Sequence, residues 1–143
     1  VLKQGYGINR DDGIIFCGRT GTYEFQGARY EVTVENRDKN QEIPVNCYTK
    51  WFDYDKIKDT VQIRTRRPGD YLQVQAAGGH KKLKDYLINS KIPKEERDQL
   101  LLLAEGSHIL WVIGQRISEA YKVTLKTKHI FEVCIHGGKE KNE

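Results

Sequence analysis

Ile63-Arg64-Thr65-Arg66-Arg67-Pro68-Gly69-Asp70-Tyr71 leads through Ala76-Ala77-Gly78-Gly79 into His80-Lys81-Lys82-Leu83-Lys84-Asp85-Tyr86-Leu87-Ile88. Val61, Ile63 and Thr65 alternate with Gln62, Arg64 and Arg66, the two-residue period of a half-buried strand whose outer face carries guanidinium groups. Pro68-Gly69 ends that strand. Beyond the glycines, Leu83, Tyr86 and Leu87 recur at i, i+3 and i+4, which predicts a short helix from near Lys81 with its cations facing outward. A basic strand thus feeds a glycine-rich loop and a basic helix.

The residues downstream extend this pattern. Pro93 suits a first helical turn, and Glu95, Glu96 and Asp98 complement the positive end of a second helix, which residues 100–104 would bury and Gly106-Ser107 would stop. His108-Ile109-Leu110-Trp111-Val112-Ile113 reads as a strand buried on both faces. Gly114-Gln115-Arg116 turns the chain, residues 128–135 form a last strand, and a frayed tail is expected over 136–143.

Upstream, Asp12-Gly13 between Tyr6-Gly7-Ile8 and Ile14-Ile15-Phe16 signals a hairpin. Tyr23-Glu24-Phe25 should pair through Gln26-Gly27-Ala28 with residues 29–35, where Tyr30, Val32 and Val34 alternate with polar positions. A further strand is expected over 45–52, with Val45, Cys47, Thr49 and Trp51 on one face. The fold class is α+β: an antiparallel β-rich sheet sandwich with two short helices on one side. Residues 1–135 are read as one domain, with a β-rich part over 1–60 and a basic, motif-bearing part over 61–135.

Composition narrows the function. Residues 61–135 hold 13 Lys and Arg against 8 Asp and Glu, a balance of +5, whereas residues 1–60 hold 9 against 10, a balance of −1. The positive field of the later part points to a polyanion, with nucleic acid preferred because no amphipathic apolar face accompanies the charge. No apolar run approaches the ~20 residues of a membrane span. No secretory signal is visible, so a cytoplasmic location and no membrane partner are expected. Val1 at the start and the absence of methionine suggest a piece of something longer.

Catalytic and metal signatures are weak. Cys17, Cys47 and Cys134 are odd in number and lack Cys-x-x-Cys spacing, which argues against a disulfide framework and a zinc site. Phe52-Asp53-Tyr54-Asp55-Lys56 lacks the further ligands and glycine of a calcium loop and reads as a strand end with a polar turn. His80, His108, His129 and His136 show no helical ligand spacing. No catalytic, cofactor or metal residue is assigned. Gly78-Gly79 before a basic helix can present backbone N–H groups to a phosphate, although two glycines more often simply mark a loop. The convergence of Arg64, Arg66 and Arg67 with Lys81, Lys82 and Lys84 makes those six the candidate RNA-binding residues. The plainer alternative is a set of surface pairs, Arg67 with Asp70 or Lys81 and Lys82 with Asp85, of little energetic worth.

At these residues the sequence resembles the C-terminal domain of bacterial tRNA(Ile)-lysidine synthetases. The resemblance rests on Ile63-Arg64-Thr65-Arg66-Arg67-Pro68-Gly69-Asp70, Lys81-Lys82-Leu83-Lys84-Asp85-Tyr86, Lys91-Ile92-Pro93 with Arg97, and Trp111-Val112-Ile113-Gly114-Gln115-Arg116-Ile117-Ser118, in family order across residues 61–133. It implies a fold related to a domain of the phenylalanyl-tRNA synthetase β subunit. It also implies a parent ligase that uses ATP and Mg to join lysine to the wobble cytidine of isoleucine tRNA. The family's Ser-Gly-Gly-x-Asp-Ser pyrophosphate loop belongs to an N-terminal catalytic domain and is absent from this chain. The implied role is therefore to hold isoleucine tRNA around its acceptor stem, beside that catalytic domain, without catalysis by this part.

A-form RNA hides its base edges in a deep groove, so a stem is held through phosphates, 2′-hydroxyls and shape, a task suited to the six cations. Two rivals stand beside this expectation. A structural or dimerisation module without direct RNA contact, including a homodimer, would expose an apolar patch and show no salt-sensitive RNA binding. A small autonomous enzyme would require a pocket of clustered titratable groups.

Overall fold

The computed structural model describes residues 7–10, 13–16, 20–38, 42–44 and 48–137, the first two segments by their backbone alone. Twelve strands are described: β1 (Gly7–Arg10), β2 (Gly13–Phe16), β3 (Gly21–Phe25), β4 (Ala28–Asn36), β5 (Thr49–Asp53), β6 (Gln62–Arg64), β7 (Tyr71–Leu72), β8 (Lys81–Lys82), β9 (Leu102–Glu105), β10 (His108–Val112), β11 (Arg116–Ile117) and β12 (His129–Gly137). Helices α1 (Leu83–Asn89) and α2 (Lys94–Arg97) lie between β8 and β9. Short 3-10 turns occupy Tyr54–Lys56 and Glu119–Tyr121.

The strands form two sheets. The larger runs β1-β2-β6-β9-β10-β7-β8, with β11 also against β10; the smaller runs β3-β4-β12-β5. Strands from early and late in the chain pair directly, β2 with β6 and β4 with β12. Alternation along β4 sends Tyr30 and Val32 inward, and β12 contributes Phe131 and Val133 to the same layer. These meet Ile63, Leu103, Leu110 and Trp111 of the larger sheet, so the main core lies between the sheets. Leu83 and Leu87 of α1 cover the opposite face of the larger sheet, against Leu72, Leu102, Ala104, Ile109 and Val112. The expected α+β sandwich is therefore present, with α1 as an outer layer.

Local chemistry explains the turns. Gln26 and Gly27, at φ 53° and 82°, join β3 to β4 in a two-residue connection whose positive φ values match the twist of a hairpin. The first hairpin also forms, with Arg10 opposite Gly13, so Gly13 opens β2, while residues 11–12 of the expected turn lie outside the described residues. Residues 45–47 of the strand predicted over 45–52 lie outside the described residues. Within β5, Phe52 enters the core while Trp51 stays half-buried and donates its indole N–H to Glu132 at 2.7 Å.

Three local expectations are corrected. Lys81 and Lys82 belong to β8, paired with Leu72 and Tyr71, and the helix starts at Leu83. Lys81 and Lys84 consequently do not share a helix face. The second helix ends at Arg97, and Leu102–Glu105 is a strand between β6 and β9's hairpin partner β10; Gly106 at φ 60° turns that hairpin. A run of leucines supplies burial in either state, and here the sheet takes it. His136 and Gly137, expected in the tail, extend β12 opposite Arg29 and Ala28.

No helix among the described residues is long and apolar enough to cross a membrane.

Candidate nucleic-acid interface

The basic segment is built on a buried ion pair that the alternating pattern of β6 does not reveal. Arg64 and Asp70 have side chains only 1% and 2% exposed. One terminal nitrogen of Arg64 donates to Asp70 Oδ2 and the Thr65 carbonyl, each at 2.9 Å. The other donates to Asp70 Oδ1 and the Gly106 carbonyl, each at 2.8 Å. A guanidinium has four terminal N–H groups, and all four are committed. Arg64 is thus corrected from an RNA contact to an internal clamp: it has neither an exposed face nor a spare terminal donor for a phosphate.

The clamp shapes the turn after β6. Asp70 Oδ2 also accepts from the Arg67 backbone N–H at 2.8 Å, while the Asp70 N–H reaches the Arg67 carbonyl at 3.3 Å. Gly69 holds φ at 90°, with open space where a Cβ would lie, so the glycine answers a backbone requirement rather than crowding. The Asp70 carbonyl then accepts from the Leu83 N–H at 2.9 Å. That bond ties the turn carrying Arg66 and Arg67 to the start of α1, where Lys82 and Lys84 stand.

The remaining candidate residues occupy the surface of this unit. Arg67 is exposed, as are Lys82 and Lys84, while Lys81 is partly covered. Arg66, 27% exposed at its side chain, donates from Nε to Asp98 at 2.8 Å. Asp98 is 79% exposed, so this pair has little hold on the arginine and a phosphate can compete for it. Arg97 is turned inward instead, with Nε on the Ile92 carbonyl at 2.9 Å. Gly78 donates to the Gln75 carbonyl at 3.1 Å, which makes the glycine pair part of a loop turn and occupies one of the two N–H groups considered for phosphate.

A row of rings beside this segment was not legible in the spacing of the sequence. Tyr71 stacks on His80 with centroids 4.3 Å apart, and His108 stands 4.7 Å from Tyr71 and 4.8 Å from Tyr121. Parallel pairing of β7 with β10 brings Tyr71 opposite His108, and antiparallel pairing brings Lys82 opposite Tyr71. Ser118, fully buried, accepts from the Gln73 N–H at 3.0 Å and the Ala120 N–H at 3.4 Å, leaving its hydroxyl proton for His108 Nε2 at 3.2 Å. Nε2 is then an acceptor and His108 neutral.

Burial lowers the His108 pKa below the ordinary imidazole range, the nearby His80 adds to this, and Glu105 opposes it. Tyr121 donates to Glu105 at 2.7 Å; burial first, then that bond and the carboxylate charge, raise its phenol well above the usual range. Glu105 also accepts from the Asp59 N–H at 2.6 Å. These groups are engaged in holding loops to strands. Buried Ser118, with its oxygen fully used, is no nucleophile.

The geometry thus presents cations beside a ring stack on a rigid turn, an arrangement suited to a phosphate backbone and flanking bases. Comparisons with known proteins identify the family. The family described as the TilS substrate C-terminal domain matches residues 61–133, more than half of the chain. A tRNA(Ile)-lysidine synthase of Clostridium perfringens is 42% identical over 108 residues, covering 76% of this chain and 23% of that relative. One from Caldanaerobacter subterraneus subsp. tengcongensis is 44% identical over 86 residues, covering 60% of this chain and 18% of the relative. The chain therefore spans less than a quarter of the length of these relatives. A crystal structure of a TilS C-terminal domain superposes with a TM-score of 0.62 at 23% identity, covering 80% of this chain and 88% of the other, which supports the fold. With its basic turn, its sheet sandwich and residues 61–133 all in agreement, the chain belongs to the TilS substrate C-terminal domain family.

Proposed function

We propose that this chain holds isoleucine tRNA for a tRNA(Ile)-lysidine synthase, gripping the phosphates of the acceptor stem with Arg66, Arg67, Lys81, Lys82 and Lys84. The observation that carries the reading is the 2.9 Å bond from the Leu83 N–H to the Asp70 carbonyl, which joins the arginine turn to the lysine-bearing start of α1. Cations fixed on one support lose less conformational freedom on binding than cations on separate loops. Arg66 can exchange its exposed carboxylate for a phosphate, and Lys82 and Lys84 provide mobile point charges. The same reading assigns ATP, Mg and lysine to a catalytic part elsewhere in the parent protein, and it carries a cytoplasmic location with it.

The test is a titration of isoleucine tRNA at several salt concentrations. For each of Arg66→Ala, Lys82→Ala and Lys84→Ala, the slope of log affinity against log salt should fall in magnitude by roughly 0.7–0.9 if one counterion-releasing contact is lost. Circular dichroism checks that each variant is folded. Unchanged slopes in all three would favour a structural or dimerisation module. A second expected outcome concerns chemistry: incubated with ATP, Mg, lysine and isoleucine tRNA, the purified chain should form no lysidine. Lysidine in that reaction, detected by mass spectrometry of the digested tRNA, would overturn the division of labour.

A further inference from the structure

On the outer face of the smaller sheet, Glu31 of β4 stands opposite Cys134 of β12, and His136 follows two residues along the same strand. Period two places Cys134 and His136 on one face, and the pairing adds Glu31 to it. His136 Nε2 lies 2.8 Å from Glu31 Oε1 and 3.4 Å from Cys134 Sγ. The ligand atoms of all three fall within 4.8 Å of one another. All three side chains remain reachable from solvent.

This geometry distinguishes two chemistries. A nucleophile relay uses both ring nitrogens of a histidine, one toward the thiol and the other toward the carboxylate. Here one nitrogen faces both groups. Three donors thus converge on a common point, as metal ligands do. With Zn–S of about 2.3 Å and Zn–N of about 2.0–2.1 Å, tetrahedral coordination separates sulfur from nitrogen by roughly 3.5 Å. The Cys134–His136 separation of 3.4 Å already meets this. The shorter Glu31–His136 contact is a hydrogen bond that must open by roughly 0.5 Å when a metal replaces its proton.

We propose that Glu31, Cys134 and His136 form a binding site for Zn²⁺, with solvent in the fourth position. Binding displaces the Cys134 thiol proton and the proton between His136 Nε2 and Glu31, leaving thiolate sulfur, imidazole nitrogen and carboxylate oxygen on the metal. Neighbours already orient these ligands. Thr49 donates its hydroxyl to Cys134 Sγ at 3.2 Å, and Arg29 holds the other Glu31 oxygen at 3.8 Å. A thiolate–imidazole–carboxylate set favours zinc over the hard cations, which prefer oxygen ligands throughout.

The test titrates the metal-free chain with zinc chloride by calorimetry and with Co²⁺ by absorption spectroscopy. One equivalent should bind, and Co²⁺ should show a thiolate-to-metal charge-transfer band. Cys134→Ser, His136→Ala and Glu31→Gln should each weaken Zn²⁺ binding by at least about tenfold. Cys134→Ser should also abolish the Co²⁺ band. A Cys17→Ser, Cys47→Ser double variant should retain both signals, which assigns them to Cys134. Because the ligands sit on a solvent face, circular dichroism should show the single variants folded. Undiminished zinc affinity in folded Cys134→Ser or His136→Ala, or a Co²⁺ complex without the band, would overturn the site.

Discussion

Replacing Asp70 with alanine should destabilise the chain by about 3–5 kcal/mol, because it leaves the Arg64 guanidinium buried without its counter-charge. Arg64 is 1% exposed and has four hydrogen bonds from its terminal nitrogens, two of them to Asp70. The substitution also strands the Arg67 backbone N–H, which Asp70 accepts at 2.8 Å. Against a total stability of about 5–15 kcal/mol, the loss is large. Urea unfolding of the parent, Asp70→Ala, Arg64→Ala and the double variant measures it. The double variant should lose less than the sum of the two single losses, since either deletion already breaks the same pair. A midpoint for Asp70→Ala equal to the parent's would show that the pair does not hold the turn.

This clamp changes how a basic motif is understood. Arg64→Lys keeps the charge, yet one ammonium cannot reproduce a planar fork that spans both carboxylate oxygens and the Thr65 and Gly106 carbonyls. Of the three arginines in Arg64-Thr65-Arg66-Arg67, the first secures the turn and the other two stand on it. Loss of tRNA affinity in an Arg64 variant would therefore mix unfolding with binding, whereas Lys82→Ala and Lys84→Ala change exposed side chains and separate the two.

The outline of the fold was legible because alternation and turn chemistry are local. Tyr30, Val32 and Val34 mark β4, Gln26-Gly27 marks its hairpin, and the apolar run at residues 108–113 marks the central strand. The motif from Ile63 to Asp70 lies within residues 61–133, which match the family. What the pattern missed depends on partners distant in sequence. An arginine at an alternating position reads as solvent-facing, but Arg64 is enclosed against Asp70 and the Gly106 carbonyl, 42 residues away. Only Asp70, brought back by the turn, makes its burial tolerable.

The same limit applies to the two side-chain clusters. Tyr71 and His108 meet because β7 runs parallel to β10, a pairing that neither strand announces. Glu31 and His136 are 105 positions apart, and sheet pairing rather than a short spacer brings them together with Cys134, a juxtaposition that counting cysteine spacings does not register. Leu102–Glu105 shows a different ambiguity: its leucines satisfy a buried helix or a buried strand equally, and contact with β6 and β10 selects the strand.

Trp111→Ala should destabilise the chain by about 3–5 kcal/mol through the cavity left by a large core side chain. The residue is fully buried between the sheets, with its ring centroid 6.2 Å from that of Phe52. A bulge explains its placement: Ile109 pairs with Ala104 and Trp111 with Leu103, so β10 carries one extra residue there. Leu110 and Trp111 consequently both join the core between the sheets, while Ile109 and Val112 join the layer under α1. The indole N–H has no hydrogen-bond partner among the described residues, and leaving such a donor unmet costs roughly 1–3 kcal/mol. Trp111→Phe removes that donor while keeping an aromatic ring against Phe52, so its loss should be less than half that of Trp111→Ala. Urea unfolding followed by far-ultraviolet circular dichroism gives both midpoints. Equal losses for the two variants would show that ring packing is not what Trp111 supplies, and an alanine variant that unfolds with the parent would place the residue outside the core.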